Sequence, residues 1–310
     1  MSAVKLKRYL LIVLVVLVSL LATLVIGLAI LLHAPGSAQW LISFLDEATP
    51  YEISVDSLEG KLAGPLSIQQ LKLTDGDMNL EAGEIRFDWR PAALLKGDLH
   101  VIELSLRDID MVLPAGDTPV QETEKAPFGG VTLPLNLQVD RLQIDDVSLS
   151  NPASPDPVVI ESLAFSAHSQ AEQLMIDQLE LAAFSSRLKV TGSLALSAGL
   201  PMDLTVDWLH RLPEGPELTG RGGIKGDLEK LQVVQQLDAP LSSGFEASLF
   251  DLESKLRWEA KLTLTESELG RLMKDFPLRV NGILESRGTP EDIDVSADLQ
   301  LRQPDYGEAG

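Results

Sequence analysis

The residues in this chain that could do chemistry are few and poorly arranged for it. Four histidines, His33, His100, His168 and His210, lie in separate segments. No two stand at the short spacing that lets one turn or helix present paired imidazoles to a metal. Asp75-Gly76-Asp77-Met78-Asn79 begins like a calcium loop, in which alternate oxygens ring the ion. Leu80 then occupies the sixth position, where glycine makes the sharp bend, and Arg86 the twelfth, where glutamate closes the ring. The glycines of Gly220 to Gly226 have neither dinucleotide-binding nor P-loop spacing and read as turns. The acidic groups Asp108/Asp110, Asp145/Asp146 and Glu291/Asp292/Asp294 offer acid–base chemistry on paper. The first two recur with a repeated segment and the third follows Pro290, which fits turn and solvent-facing roles. No serine, threonine or lysine has a partner base that spacing identifies. The sequence thus predicts no enzyme, no cofactor and no metal site.

The elements around these residues are more informative, beginning with Tyr9 to Leu32. This run holds 24 residues without a charge, and as a helix it would span ~36 Å, enough to cross a ~30 Å hydrocarbon core. Lys5, Lys7 and Arg8 precede it, and no acid occurs before Asp46. The positive-inside rule then keeps residues 1–8 in the cytoplasm, makes 9–32 a transmembrane helix and exports the chain from residue 33 onward. A cleaved signal peptide is the rival reading, since Ala34 to Ala38 offers small residues, but its apolar region would normally be about 7–15 residues long.

Composition suits an exported chain. The protein has 310 residues with 25 basic and 46 acidic groups, a net charge of −21, so no basic footprint for nucleic acid exists. The absence of cysteine removes disulfides and thiolate chemistry together and leaves burial to hold the fold. Pro35-Gly36 breaks the first helix. Residues 33–50 then predict a juxtamembrane element, with Trp40, Leu41, Phe44 and Leu45 on one helical face, placed either at the headgroup level or as a plug for the following domain.

From Tyr51 the hydrophobic period becomes two, as in Ile53-Ser-Val55, Leu66-Ser-Ile68, Leu71-Lys-Leu73 and Ile85-Arg-Phe87, which predicts half-buried strands. Short helices interrupt at Pro91 to Lys96 and at Ser267 to Asp275. The polar stretch 114–130 reads as a flexible loop inside one domain, 51–310, because the same strand unit resumes on both sides of it. That unit is an internal repeat. Val101, Leu104, Leu106, Asp108, Ile109 and Met111 match, 38 positions on, Val139, Leu142, Ile144, Asp146, Val147 and Leu149. Looser copies begin at Ile68, Ile160 and Ile176. Each three-residue step among two-residue steps requires a bulge or turn to keep its apolar side chains on one face, and bulges add twist and curvature. A curved, one-faced, repetitive sheet is implied.

Several stretches are recognisable together. Glu59-Gly60 with Gly64-Pro65-Leu66, then Trp89-Arg90-Pro91 and Leu94 to Gly97, then Val101 to Leu106, stand behind one N-terminal span and resemble the start of TamB proteins, within the AsmA-like group. Leu218 to Leu231 and Val280 to Pro290 are similar to later TamB segments. The resemblance implies a mostly β, elongated, taco-like sheet with an apolar groove, anchored in the inner membrane of a Gram-negative cell and standing in the periplasm. It also implies phospholipids as cargo, and a TamA-like outer-membrane barrel as partner through a C-terminal region that has no counterpart here. The expectation is therefore a chain truncated relative to that family.

A one-faced sheet hides its apolar side under a second layer or against an apolar ligand. Periodicity alone leaves a β-sandwich and a groove equally open; the resemblance favours the groove. Its candidate lining is Leu71, Leu73, Val101, Leu104, Leu106, Val139, Leu142, Ile144, Leu179 and Leu181. The competing function is a scaffold that assembles outer-membrane barrels by strand pairing and carries no lipid.

Overall fold

The computed structural model describes residues 34, 36–48, 52–76, 78–112, 130, 133–151, 154–170, 172–213, 215–271 and 278–303. The run at 9–32, its flank of Lys5, Lys7 and Arg8, and the loop 114–130 apart from Gly130 lie outside them. Among the described residues no helix is long and apolar enough to cross a membrane.

Helix α1, Ser37–Ala48, comes after Gly36, which takes a positive φ of 86°. The helix turns Ser37 and Ala38 inward and leaves Trp40 about half exposed. The first strands, in order, are β1 Glu52–Ser54, β2 Ser57–Gly60, β3 Leu66–Asp75, β4 Met78–Trp89, β5 Asp98–Val112, β6 Asn136–Asn151, β7 Ser154–Gln170 and β8 Gln173–Ala183. Then come β9 Ser186–Ala195, β10 Met202–Arg211, β11 Glu217–Gly226, β12 Lys230–Ala239, β13 Ser243–Phe250, β14 Arg257–Glu268, β15 Arg279–Gly288 and β16 Ile293–Arg302. All sixteen form one sheet in chain order, apart from β2, which pairs with β3 beside β1. Two sheets would be needed for a sandwich, so the described residues do not build one.

Neighbours pair antiparallel except β5 and β6, which run parallel. Their register explains the repeat. Val101 pairs with Val139, Leu104 with Leu142, Leu106 with Ile144 and Ile109 with Val147, so the two copies lie side by side with every apolar residue against its own counterpart. A parallel pair needs a long connection, and residues 113–135 supply it.

Two expectations change. The segment from Ser267 is not a nine-residue helix: Ser267 and Glu268 complete β14 opposite Val280 and Arg279, after a bulge just past Leu264, and only Leu269–Arg271 coils as a 3-10 turn. The positions beyond it to Asp275 lie outside the described residues. A bulge shifts strand periodicity locally towards the helical spacing, which is why the pattern misleads. The second change concerns Gly220 to Gly226, which is strand β11 and not a set of turns. Its glycines are there for space. A Cβ on Gly220 would lie 2.5 Å from the Trp208 ring, and one on Gly222 would lie 1.9 Å from the Val234 carbonyl oxygen.

Candidate functional site: the apolar face of the sheet

The site is built by register. Because directly opposed residues share a face, a side chain can be followed from strand to strand across the sheet. Starting at β3, Leu66, Phe87, Leu104, Leu142, Phe165, Leu179, Val190 and Val206 stand in one row. The row continues through Gly222, Gln235, Phe245, Leu262, Leu284 and Ala297 to β16. A second row runs parallel through Ile68, Ile85, Leu106, Ile144, Leu163, Leu181, Leu188 and Trp208.

Bulges keep the three-residue steps on this face. The register shifts opposite Val101/Leu104, between Val139 and Leu142 and between Ile176 and Leu179, so Val101, Val139 and Ile176 return to the apolar side. A second irregularity crosses the sheet farther along. Gln70, Asp108 and Asp146 all take left-handed backbone, with φ of 53°, 54° and 56°. Gln70 and Asp108 flank Gly83, where a Cβ would come within 2.9 Å of the Asp108 Cβ, and Asp146 lies beyond Asp108 on β6. Short polar residues tolerate that conformation best, which gives Asp108 and Asp146 a conformational task. Beyond this crease the apolar residues switch from even to odd numbers, and Leu71, Ala82, Ile109 and Val147 face one another, as do Leu73, Leu80 and Met111.

All ten residues expected to line a groove thus lie on one side. Leu104, Leu106, Val101, Val139, Leu142 and Ile144 meet directly across β5 and β6; Leu179 and Leu181 join them through Phe165 and Leu163; Leu71 and Leu73 lie beyond the crease. Each is half-buried and none is fully buried. The buried apolar strand residues, Ala82, Val147, Ala167, Ala183, Val190, Val206, Leu231, Ala247 and Val280, sit on the same side, with Ala182 the exception. With no second sheet among the described residues to cover them, such burial comes from neighbouring side chains on the same face crowding together.

Donors on this face are mostly satisfied from within. The indole N–H of Trp89 donates to the Leu62 carbonyl at 2.7 Å, that of Trp208 to Gln235 Oε1 at 3.1 Å and that of Trp258 to Ser286 Oγ at 3.1 Å. Sequence patterning picked out the aliphatic positions but missed Phe87, Phe165, Trp208 and Trp258. Their place on the face was legible in the same alternation, whereas the reach of each indole to its acceptor was not.

The opposite face is charged. Lys72 meets Glu81, Lys189 meets Glu180, Lys225 meets Asp203 and Arg287 meets Asp294 across neighbouring strands. Such exposed pairs add little stability each, but they oppose any slip in register that would bring charge to the apolar side. Two concavities lie on this side. One of about 790 Å³ runs over β12 to β16 past Glu246, Lys261, Glu285 and Arg287, and one of about 650 Å³ is bordered by Asp98, Asp140, His168 and Asp177.

His33 lies outside the described residues, and the other three histidines have structural partners. His100 Nε2 lies 2.8 Å from Asp140 Oδ2, His168 Nδ1 lies 2.9 Å from Asp177 Oδ2, and His210 Nδ1 lies 2.8 Å from Ser186 Oγ. Asp140 and Asp177 occupy the bulges of β6 and β8, so each imidazole pins a bulge on the neighbouring strand. No cluster of three metal-ligating side chains occurs among the described residues. The hydrogen bond from His100 holds the Asp140 carboxyl below its ordinary range, with partial burial opposing it. A depressed carboxyl stabilises the fold above its unfolded pKa of ~3.9 and loses that contribution as pH falls through the folded value. His100→Ala is expected to move the Asp140 titration upward in carboxyl NMR shifts; an unmoved midpoint would show that the pair does not form.

Comparison with known proteins gives one clear result. Neither the curated proteins nor the solved structures contain a match. The sequence matches the family described as TamB, N-terminal domain, over residues 24–154 and again over 126–250. The two matches overlap in the linker and in β6, where the internal repeat recurs. With most of its length covered in this way, the chain belongs to the TamB family and carries that family's N-terminal domain.

Proposed function

We propose that this chain is an inner-membrane-anchored periplasmic protein whose apolar sheet face carries phospholipid acyl chains towards the outer membrane, supporting outer-membrane protein assembly and envelope integrity. One observation supports it most. The row through Leu104 and Leu142 runs from β3 to β16 on a side that no second sheet covers among the described residues. A half-exposed aliphatic surface of that length is costly in water, at roughly 25 cal/mol for each Å² left wet. Acyl chains relieve the cost without demanding hydrogen bonds or fixed geometry. Family membership supports an envelope location, and the uncharged run at 9–32 with Lys5, Lys7 and Arg8 before it supplies the anchor. A TamA-like barrel is the proposed outer-membrane partner. No reaction is assigned.

Photo-crosslinkers placed at Leu104 and Leu142 are expected to capture phospholipid in cells. Controls at Arg107 and Gln143, on the charged face of the same strands, are expected to capture none. Ser105 is a poor control because it is 5% exposed, and a bulky probe there would disturb packing. Equal labelling on both faces, or none in folded protein, would remove the lipid reading.

The scaffold reading has its own supporting observation. Strand β16 pairs only with β15 among the described residues, and all ten of its residues are exposed. An edge of alternating apolar and polar residues can accept another strand. Crosslinkers between Val295 and Leu301 that trap barrel precursors, with no lipid captured at Leu104, would make this the main role.

A further inference from the structure

The row through Leu104 and Leu142 contains a single side chain able to form hydrogen bonds, and it lies where the sheet is lowest. On β11 the positions facing the apolar side include Gly220 and Gly222, so this strand forms a bed between the side chains of β10 and β12. The Trp208 ring lies over Gly220, where an added Cβ would come 2.5 Å from it; Gln235 lies over Gly222, where a Cβ would come 2.7 Å from its Cδ. The two meet above the bed, indole Nε1 to Oε1, at 3.1 Å. An indole only donates, so it fixes the carboxamide with oxygen towards the ring and the NH₂ group turned away. No acceptor is bonded to that NH₂ among the described residues. A donor has thus been set, oriented by a tryptophan, on an otherwise apolar row.

We infer that Gln235 is a specificity-determining residue, whose NH₂ donates to an ester carbonyl of a glycerol diester lipid lying on the apolar face. The inference rests on the lipid reading above and adds a chemical preference to it. An acyl chain alone gains nothing from a carboxamide and must displace its water. The polar atoms of a membrane lipid nearest to its chains are ester carbonyls, neutral acceptors that match an amide donor. The Trp208 ring and the Gln235 carboxamide fill the space over Gly220 and Gly222, so the glycerol region lies on top of that pair, while Val206 on one side and Phe245 on the other border the chains. Trp208 is the positioning residue. Its N–H holds the amide, and the ring closes the bed on the β10 side.

The test compares two lipids with the same headgroup and chain length, diacyl phosphatidylglycerol and its dialkyl ether analogue, which lacks the carbonyls. The full chain is purified in detergent, exposed to an equal mixture of the two and analysed by native mass spectrometry. Wild type is expected to retain the ester lipid over the ether by roughly three- to tenfold, the range for one net hydrogen bond. Gln235→Leu is expected to bind as much total lipid with no preference. Gln235→Glu keeps an acceptor for the indole but has no N–H, and is expected to lose the preference too; it also separates loss of the donor from poor packing in the leucine variant. Trp208→Phe, keeping an aromatic ring without its N–H, is expected to reduce the preference while the Gln235 amide remains. Equal retention of both lipids by wild type, or a preference that persists in Gln235→Leu and Gln235→Glu, overturns the inference and leaves the lipid reading standing. Retention of neither lipid by wild type overturns the lipid reading itself.

Discussion

Replacing Gly192 by valine is expected to destabilise the sheet by about 2–6 kcal/mol, although valine is a strong strand former and glycine a weak one. Propensity alone predicts the opposite sign, a gain of up to ~1 kcal/mol. Two local facts reverse it. Gly192 has φ of +139°, a region essentially reserved for glycine, and forcing another residue there costs about 1–3 kcal/mol. Its added Cβ would lie 2.1 Å from the Asp203 carbonyl oxygen on β10. That oxygen belongs to the backbone and cannot swing aside, so relief requires strands β9 and β10 to part, at a further ~1–3 kcal/mol for overpacking. Gly244→Val is the control. No atom lies within 4 Å of a Cβ at Gly244, and its φ is not positive, so the propensity gain should survive. Denaturant midpoints that fall for Gly192→Val and hold or rise for Gly244→Val are the expected result. Equal shifts would mean that the seam at Gly192 is looser than these distances say.

The second large effect concerns transport. Leu142 stands between Leu104 and Phe165 in the long apolar row, and Leu142→Asp would put a carboxylate in a row that holds no cation. In a dry, sealed core that charge would cost several kcal/mol and unfold the domain. On a half-exposed, uncovered face water reaches it, so the cost is nearer 1–3 kcal/mol and the sheet should persist. An acyl chain crossing the row must then pass a hydrated anion. Phospholipid captured by a crosslinker at Leu262, far along the same row, is expected to fall at least tenfold. Gln143→Asp, one residue on and on the charged face, should leave both fold and capture intact. Undiminished capture at Leu262 in folded Leu142→Asp would exclude the row as a path; global unfolding would argue for a sealed core.

Both predictions depend on features that differ in how far the sequence reveals them. The aliphatic face was legible because side-chain direction in a strand is a local property, with one bond geometry repeated every two residues. The three-residue steps were legible as irregularities for the same reason, but not which kind: those ending at Leu104, Leu142 and Leu179 are bulges, whereas those ending at Leu71, Ile109 and Val147 turn on left-handed residues. What misled was chain that departs locally from that period. Beyond Leu264 a bulge imitates helical spacing, and at Gly220 to Gly226 the glycines that suggest turns are demanded by a tryptophan and a carbonyl on neighbouring strands.

The sequence by itself determined that this chain is a repetitive, one-faced β protein, which faces are apolar and charged, and that residues 9–32 have the length and hydropathy of a membrane span. Each of these depends only on neighbours along the chain. The tertiary structure alone decided that the two clearest repeats lie side by side in parallel and in register, with Val101 against Val139 and Leu104 against Leu142. It also decided that the strands join in one sheet in place of two, and that Trp208 spans Gly220 to reach Gln235. Pairing partners are chosen by contacts between residues far apart in sequence, where a sandwich and a single curled sheet satisfy the same alternation. A strand pattern specifies which face must be hidden, whereas the cover it finds depends on where every other strand has gone.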